Sequence, residues 1–335
     1  MFDGGIPAAA PDESVAAHYG DPMREQRALA GDAALVDRSN RGVLRITGQD
    51  RLSWLHSLTS QDLQGLEPGQ TAEALILSPN GHVEHHMVLT DSGDAVWLHV
   101  EPGTAAALAG YLESMRFMLR VEVADLSATH GVLTVAGPGA AGYAEKAVGM
   151  AEAGTTSSFW ADLIMERGRI AEAAGKLALP LAGMQAFEAA RIEARLPRFG
   201  VDTDHKTLPH EAGWIGTAVH LNKGCYRGQE TVARIHNLGH PPRRLIFLDL
   251  DGSADRLPAR GAPITLGDET AVGIAGSSAI HYELGPIGLG MVKRTTPVDA
   301  SLLADGIAAR QEVIVEPDAG GVAAEVVRRS GLRRR

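Results

Sequence analysis

Lys223-Gly224-Cys225-Tyr226-Arg227-Gly228-Gln229-Glu230 is the stretch on which the reading of this 335-residue chain turns; it runs on into Thr231-Val232-Ala233-Arg234-Ile235-His236-Asn237-Leu238-Gly239. Cys225 stands two positions from Lys223 and two from Arg227, just before a helix predicted to start near Gly228. Neighbouring cations and a helix N-terminus both favour the thiolate, so an accessible Cys225 is expected to be a reactive sulfur. A lone free cysteine is also a common small buried hydrophobe, and residue types alone leave both readings open. Gly224 and Gly228 let the backbone approach a ligand closely.

Upstream, Gly183–Leu196 (GMQAFEAARIEARL) is the clearest helix in the chain, with Met184, Phe187, Ile192 and Leu196 toward one side, and it is expected to stop before Pro197. Residues 197–227 read as a polar loop. Downstream of Pro241-Pro242 the runs RLIFLDL, PITLG, TAVGIAGS, IGLGMV, EVIVE and AAEVV are short, β-rich and separated by Gly, Pro and Asp, which predicts a small antiparallel barrel or sandwich. A domain boundary is placed near 241. Nearer the start, VLRIT feeds the helical DRLSWLHSL, and ALILSPNGHVEHHMVL carries Asn80-Gly81 between two apolar runs, a strong hairpin signal. AVWLHV and VEVADL read as strands flanking a helix over 103–118, and GVLTVAG opens a second strand–turn–helix stretch. Hairpins mixed with helices indicate α+β rather than a doubly wound parallel sheet. Residues 1–20 read as a flexible lead-in.

Composition narrows the function. With 31 basic and 41 acidic residues the net charge is −10, which disfavours nucleic acid and anionic membranes. Five cations (Arg328, Arg329, Arg333, Arg334 and Arg335) gather at the very end, as a solvated basic tail would. A single cysteine rules out an intramolecular disulfide, no CxxC or Cys/His spacing supplies a closed zinc site, and with the lack of an export signal or long apolar run this points to the cytoplasm.

The octapeptide resembles, at every defined position, the K-G-C-(Y/F)-x-G-Q-E signature of the YgfZ family of folate-binding proteins, relatives of the glycine-cleavage T-protein, an aminomethyltransferase. The resemblance extends through Asp37, Ser39, Gly48 and Asp50 in ALVDRSNRGVLRITGQD, through Arg191, Glu193, Pro197, Gly200, Asp202, Pro209 and Glu211 in the following block, and into AVGIAGSSAIHYELGPIGLGMVKR. It implies an α+β, T-protein-like cloverleaf: a lead-in over 1–20, a two-lobed folate-binding body over 21–240 split near 128, an antiparallel β-barrel over 241–328 and a basic tail over 329–335. It also implies tetrahydrofolate as cofactor, iron–sulfur client enzymes or assembly proteins as partners, and a role in assembling or maintaining their clusters. In that reading Cys225 and Lys223 form the functional centre, Cys225 as transient thiolate ligand or as nucleophile. Glu193 would accept hydrogen bonds from the pterin N–H edge. Arg191, Tyr226, Arg227, Gly228, Gln229, Glu230 and Arg234 would complete the folate site, and Trp214 is the tryptophan best placed to line it.

The sequence departs from the aminomethyltransferases where they carry a catalytic Asp pair after the hairpin. Aligned on Gly81, those positions are Glu84 and His85, and an imidazole cannot replace a fixed anion beside a developing iminium. Two alternatives follow: a tetrahydrofolate-dependent one-carbon transferase relying on Glu84, and a pterin-like cofactor binder without cysteine chemistry. His82, His85 and His86 carry no metal expectation, because on a strand His82 and His86 are ~13 Å apart and His85 faces the other way.

Overall fold

The computed structural model describes residues 2–321 apart from 148, 158, 268 and 269. The expected basic tail and the AAEVV run lie outside the described residues. The chain divides into two compact units, one of Met1–Ala74 with His85–Ala190 and the other of Leu75–Glu84 with Arg191–Arg335.

The first unit is built on two five-stranded sheets. In one the order is Ala153–Thr156, Trp160–Glu166, His130–Ala136, Ala34–Asp37 and Leu181–Ala182, antiparallel except for the last pair. In the other, Thr71–Leu77, Val83–Asp91, Ala95–Val100, Gly42–Thr47 and Glu122–Asp125 follow one another. Val43, Ala95, Trp97, Val132 and Ile164, drawn from strands of both sheets, form one buried cluster, so the sheets share a core. Because Ala34–Asp37 pairs with His130–Ala136, the chain crosses the lobe split expected near 128. The stretch expected to be a flexible lead-in is also tied down: Ile6–Pro7 pairs with Ala16–His18, and Val15 is buried beside Leu29 and Phe187. Its apolar residues find a pocket that local composition does not reveal.

In the second unit six strands close an antiparallel barrel in the order Arg243–Leu250, Gly285–Lys293, Ala271–His281, Pro263–Leu266, Leu302–Ala304 and Ile307–Val313. Ile246, Leu248 and Leu250 alternate into its core against Ile264, Val292 and Ile307, as the period of two along a strand requires. Ile264 fills the space beside Gly290, where a Cβ would stand 2.6 Å from Ile264 Cδ1.

The helix Met184–Glu193 ends three residues short of the position expected from Pro197. Arg195 takes a left-handed conformation (φ 60°) and Leu196 N–H bonds back to the Arg191 carbonyl, which closes the helix before the proline has to. From that end, Arg191 reaches Asp202 Oδ2 at 3.0 Å and also bonds Ser277 Oγ, while Asp202 Oδ1 accepts from Ser277 N and Oγ at 2.6 and 2.7 Å. Asp202 thereby clamps a bulge in the barrel strand Ala271–His281, and Gly276 is bare because a Cβ would meet Asp202 Oδ1 at 2.4 Å.

Candidate functional site

Residues 75–84 form the tip of the hairpin that joins Thr71–Leu77 to Val83–Asp91, and they belong with the octapeptide in the second unit. Beneath both lies one apolar cluster of Leu75, Leu77, Val83, Trp214, Val219, Tyr226 and Val232. The helix Gln229–Leu238 starts at Gly228, whose φ of 83° is left-handed; a Cβ there would stand 2.6 Å from the Ser78 carbonyl oxygen and 3.1 Å from Gly81 Cα. Only glycine fits. The hairpin answers with Gly81, itself left-handed, where a Cβ would meet the Thr231 side chain at 2.9 Å.

Within the octapeptide the side chains part in two directions. Tyr226 is buried, which pushes its hydroxyl up to about 12, and the buried Lys223 ammonium lies over its ring, 5.2 Å from the centroid. Cys225, between them, is exposed. The reading of Cys225 as an inert core residue is therefore excluded, and Lys223 lies folded onto Tyr226. Gln229 donates weakly to the Lys223 carbonyl at 3.4 Å, and Glu230 and Arg234 are exposed on the helix.

Arg227 Nη1 and Nη2 grip Glu84 at 2.9 and 3.4 Å, which joins the hairpin position singled out by the sequence directly to the octapeptide. His85, the next residue on the strand, packs its ring 6.1 Å from that of Tyr111. His86 binds Glu73 at 2.6 Å, and among the described residues no group of three or more histidine, cysteine or acidic side chains is arranged to hold a metal ion.

Two expected ligand contacts are corrected. Arg191 is buried, with its guanidinium committed to Asp202, Ser277 and the Leu196 carbonyl, so it is a structural clamp and not a cation for an anionic ligand tail. A group two residues from Glu193 on a helix faces elsewhere, and here it faces the barrel. Trp214 is 3% exposed and packs inside the apolar cluster. Among the expected cations, Arg234 is the one that is exposed with no ion pair among the described residues.

Glu193, the last residue of its helix, has a half-exposed carboxylate. One oxygen, Oε2, lies 3.3 Å from His281 Nε2; Oε1 has no partner among the described residues. A carboxylate held at one oxygen and open at the other fits the acceptor role toward an N–H edge. His281 is the residue that sequence reading passed over, because a lone histidine at the end of a barrel strand carries no motif.

Residues 16–162 match the family of the GCVT N-terminal domain. The chain is 27% identical over 304 residues to an aminomethyltransferase of Nostoc sp., covering 80% of this chain and 79% of that one. It is also 27% identical over 259 residues to an aminomethyltransferase of Synechococcus sp., covering 69% and 72%. Its fold is that of the glycine cleavage system aminomethyltransferase T from Bartonella henselae, with a TM-score of 0.78 over 94% of both chains at 20% identity. The expected T-protein-like α+β architecture with a C-terminal barrel is therefore the observed one. No helix among the described residues is long and apolar enough to cross a membrane.

Proposed function

We propose that this protein is a tetrahydrofolate-binding accessory factor of the YgfZ type, which serves the assembly or maintenance of iron–sulfur clusters through Cys225. The observation that carries the reading is the parting of side chains in the octapeptide, which buries Lys223 and Tyr226 and leaves the one sulfur between them exposed. A soft, accessible thiolate is the ligand type that iron–sulfur chemistry uses. Folate is supported by the aminomethyltransferase-like fold and by the open carboxylate oxygen of Glu193. Arg227, Gly228, Gln229, Glu230 and Arg234 stand on or beside the same helix as candidates for the remaining contacts. In a deletion strain, Cys225→Ala is expected to leave iron–sulfur enzyme activities unrestored, and Lys223→Ala to restore them only in part. Full restoration by both variants sinks the proposal.

A second reading, one-carbon transfer to tetrahydrofolate, is favoured by the aminomethyltransferase relatives and by the position of Glu84 beside the octapeptide. It predicts that purified protein given tetrahydrofolate and an aminomethyl thioether forms methylene-tetrahydrofolate, with ammonia and the free thiol released, and that Glu84→Gln abolishes this. Turnover of that kind would put the transferase reading in place of the first.

A further inference from the structure

We infer that His281 is a positioning residue for Glu193, holding its carboxylate so that Oε1 is presented to a ligand bearing adjacent N–H donors, such as the edge of a pterin; this rests on the folate reading above. His281 ends the barrel strand Ala271–His281 and pairs with Gly285 across the hairpin. Its Nδ1 accepts from the backbone N–H groups of Glu283 and Leu284 at 3.2 and 3.1 Å. A nitrogen that accepts two amides carries no proton, so the ring proton sits on Nε2. Nε2 is the atom that faces Glu193 Oε2 at 3.3 Å. The ring is buried and the carboxylate half-exposed, so the rigid partner orients the mobile one.

Residue chemistry narrows the choice at 281. Asn or Asp would cap the hairpin amides equally well. Asp would repel Glu193, and the amide nitrogen of Asn stops one atom short of the Nε2 position. Gln reaches that position with a donor but leaves the hairpin amides uncapped. Histidine does both. The helix end is already fixed to the same strand by the clamp of Arg191, Asp202 and Ser277, so the contact to His281 is not needed to attach it.

These two substitutions separate positioning from turn capping. Tetrahydrofolate binding is measured by calorimetry on the wild-type protein, His281→Asn, His281→Gln, Glu193→Gln and the double variant His281→Asn with Glu193→Gln. His281→Asn is expected to weaken binding about tenfold, since the Nε2 contact that orients the carboxylate is lost, while His281→Gln stays within about threefold of wild type. Glu193→Gln is expected to weaken binding at least as much as His281→Asn, and adding His281→Asn to it changes nothing further. If wild type binds and His281→Asn binds equally well, or if His281→Asn weakens the Glu193→Gln background just as much, His281 does not act through Glu193 and the inference is overturned with the folate reading intact. If wild type binds no tetrahydrofolate, the folate reading itself fails and takes this inference with it.

Discussion

Two polar clusters, one in each unit, use similar residues to opposite ends. In the first unit Arg38 donates to Asp162 Oδ1 at 3.0 Å, Thr134 donates to the same oxygen, His99 Nε2 faces Asp162 Oδ2 at 3.2 Å, and Arg41 donates to His99 Nδ1 at 2.8 Å and pairs with Glu101. Each of these side chains is buried. Burial alone would raise the Asp162 carboxyl, but the Arg38 guanidinium, the adjacent His99 ring and the hydrogen bond from Thr134 outweigh it and hold it well below the ordinary carboxylate range. In the second unit, Arg227 and Glu84 form an ion pair at the surface, and Cys225, Glu230 and Arg234 reach solvent. A closed network has its charges consumed by one another and can only hold structure. An open one keeps groups available for a ligand.

The sharpest way to break that comparison is to cut the closed network. Asp162→Ala leaves Arg38 buried without its carboxylate and is expected to cost about 3–5 kcal/mol in urea unfolding. A loss below about 1 kcal/mol would mean that the cluster does not hold the sheets.

Acid tests the same contrast through buried histidines. Burial, with Arg41 next, pushes His99 down to about 4, and burial, with His236 beside it, does the same to His210 in the second unit. Among the described residues His210 has no hydrogen-bond partner at either ring nitrogen. Between about pH 6.5 and 4 the unfolded chain binds protons that the folded one refuses, so stability falls as pH falls through this window, by up to about 3 kcal/mol for each histidine. His210→Phe should flatten the pH slope of urea stability there, and an unchanged slope removes His210 from the account.

Gly228→Ala forces a side chain into a left-handed position against the Ser78 carbonyl, and a loss of about 2–3 kcal/mol in thermal or urea unfolding is expected. At the open end of the scale, Glu84→Gln breaks an exposed pair and should cost under about 1 kcal/mol. Cys225→Ala should leave stability within about 0.5 kcal/mol of wild type while removing function in the deletion strain. A large destabilisation by Cys225→Ala would erase the distinction between the two clusters.

The octapeptide was legible as a candidate site because its glycines, cations and sulfur lie within eight consecutive residues, and the hairpin because Asn80-Gly81 is a local turn signal. The barrel was legible from the spacing of its strands. The closing of the helix at Glu193, the ordered pairing of Ile6–Pro7 with Ala16–His18, and the entry of Ala34–Asp37 into a sheet with His130–Ala136 were not: the first turns on the left-handed Arg195, which no motif marks, and the other two on partners outside the local stretch.

By itself the sequence determined which residue types sit together along the chain: strand and helix periods, turn glycines and the lone cysteine between two cations. Tertiary structure alone decided which of those charges are spent. Arg191 and Arg227 look alike in the sequence, yet one is consumed inside the barrel clamp and the other joins Glu84 at the surface. The reason is physical: a charge's role depends on its solvation and its partners, and both are set by contacts between segments far apart in the chain.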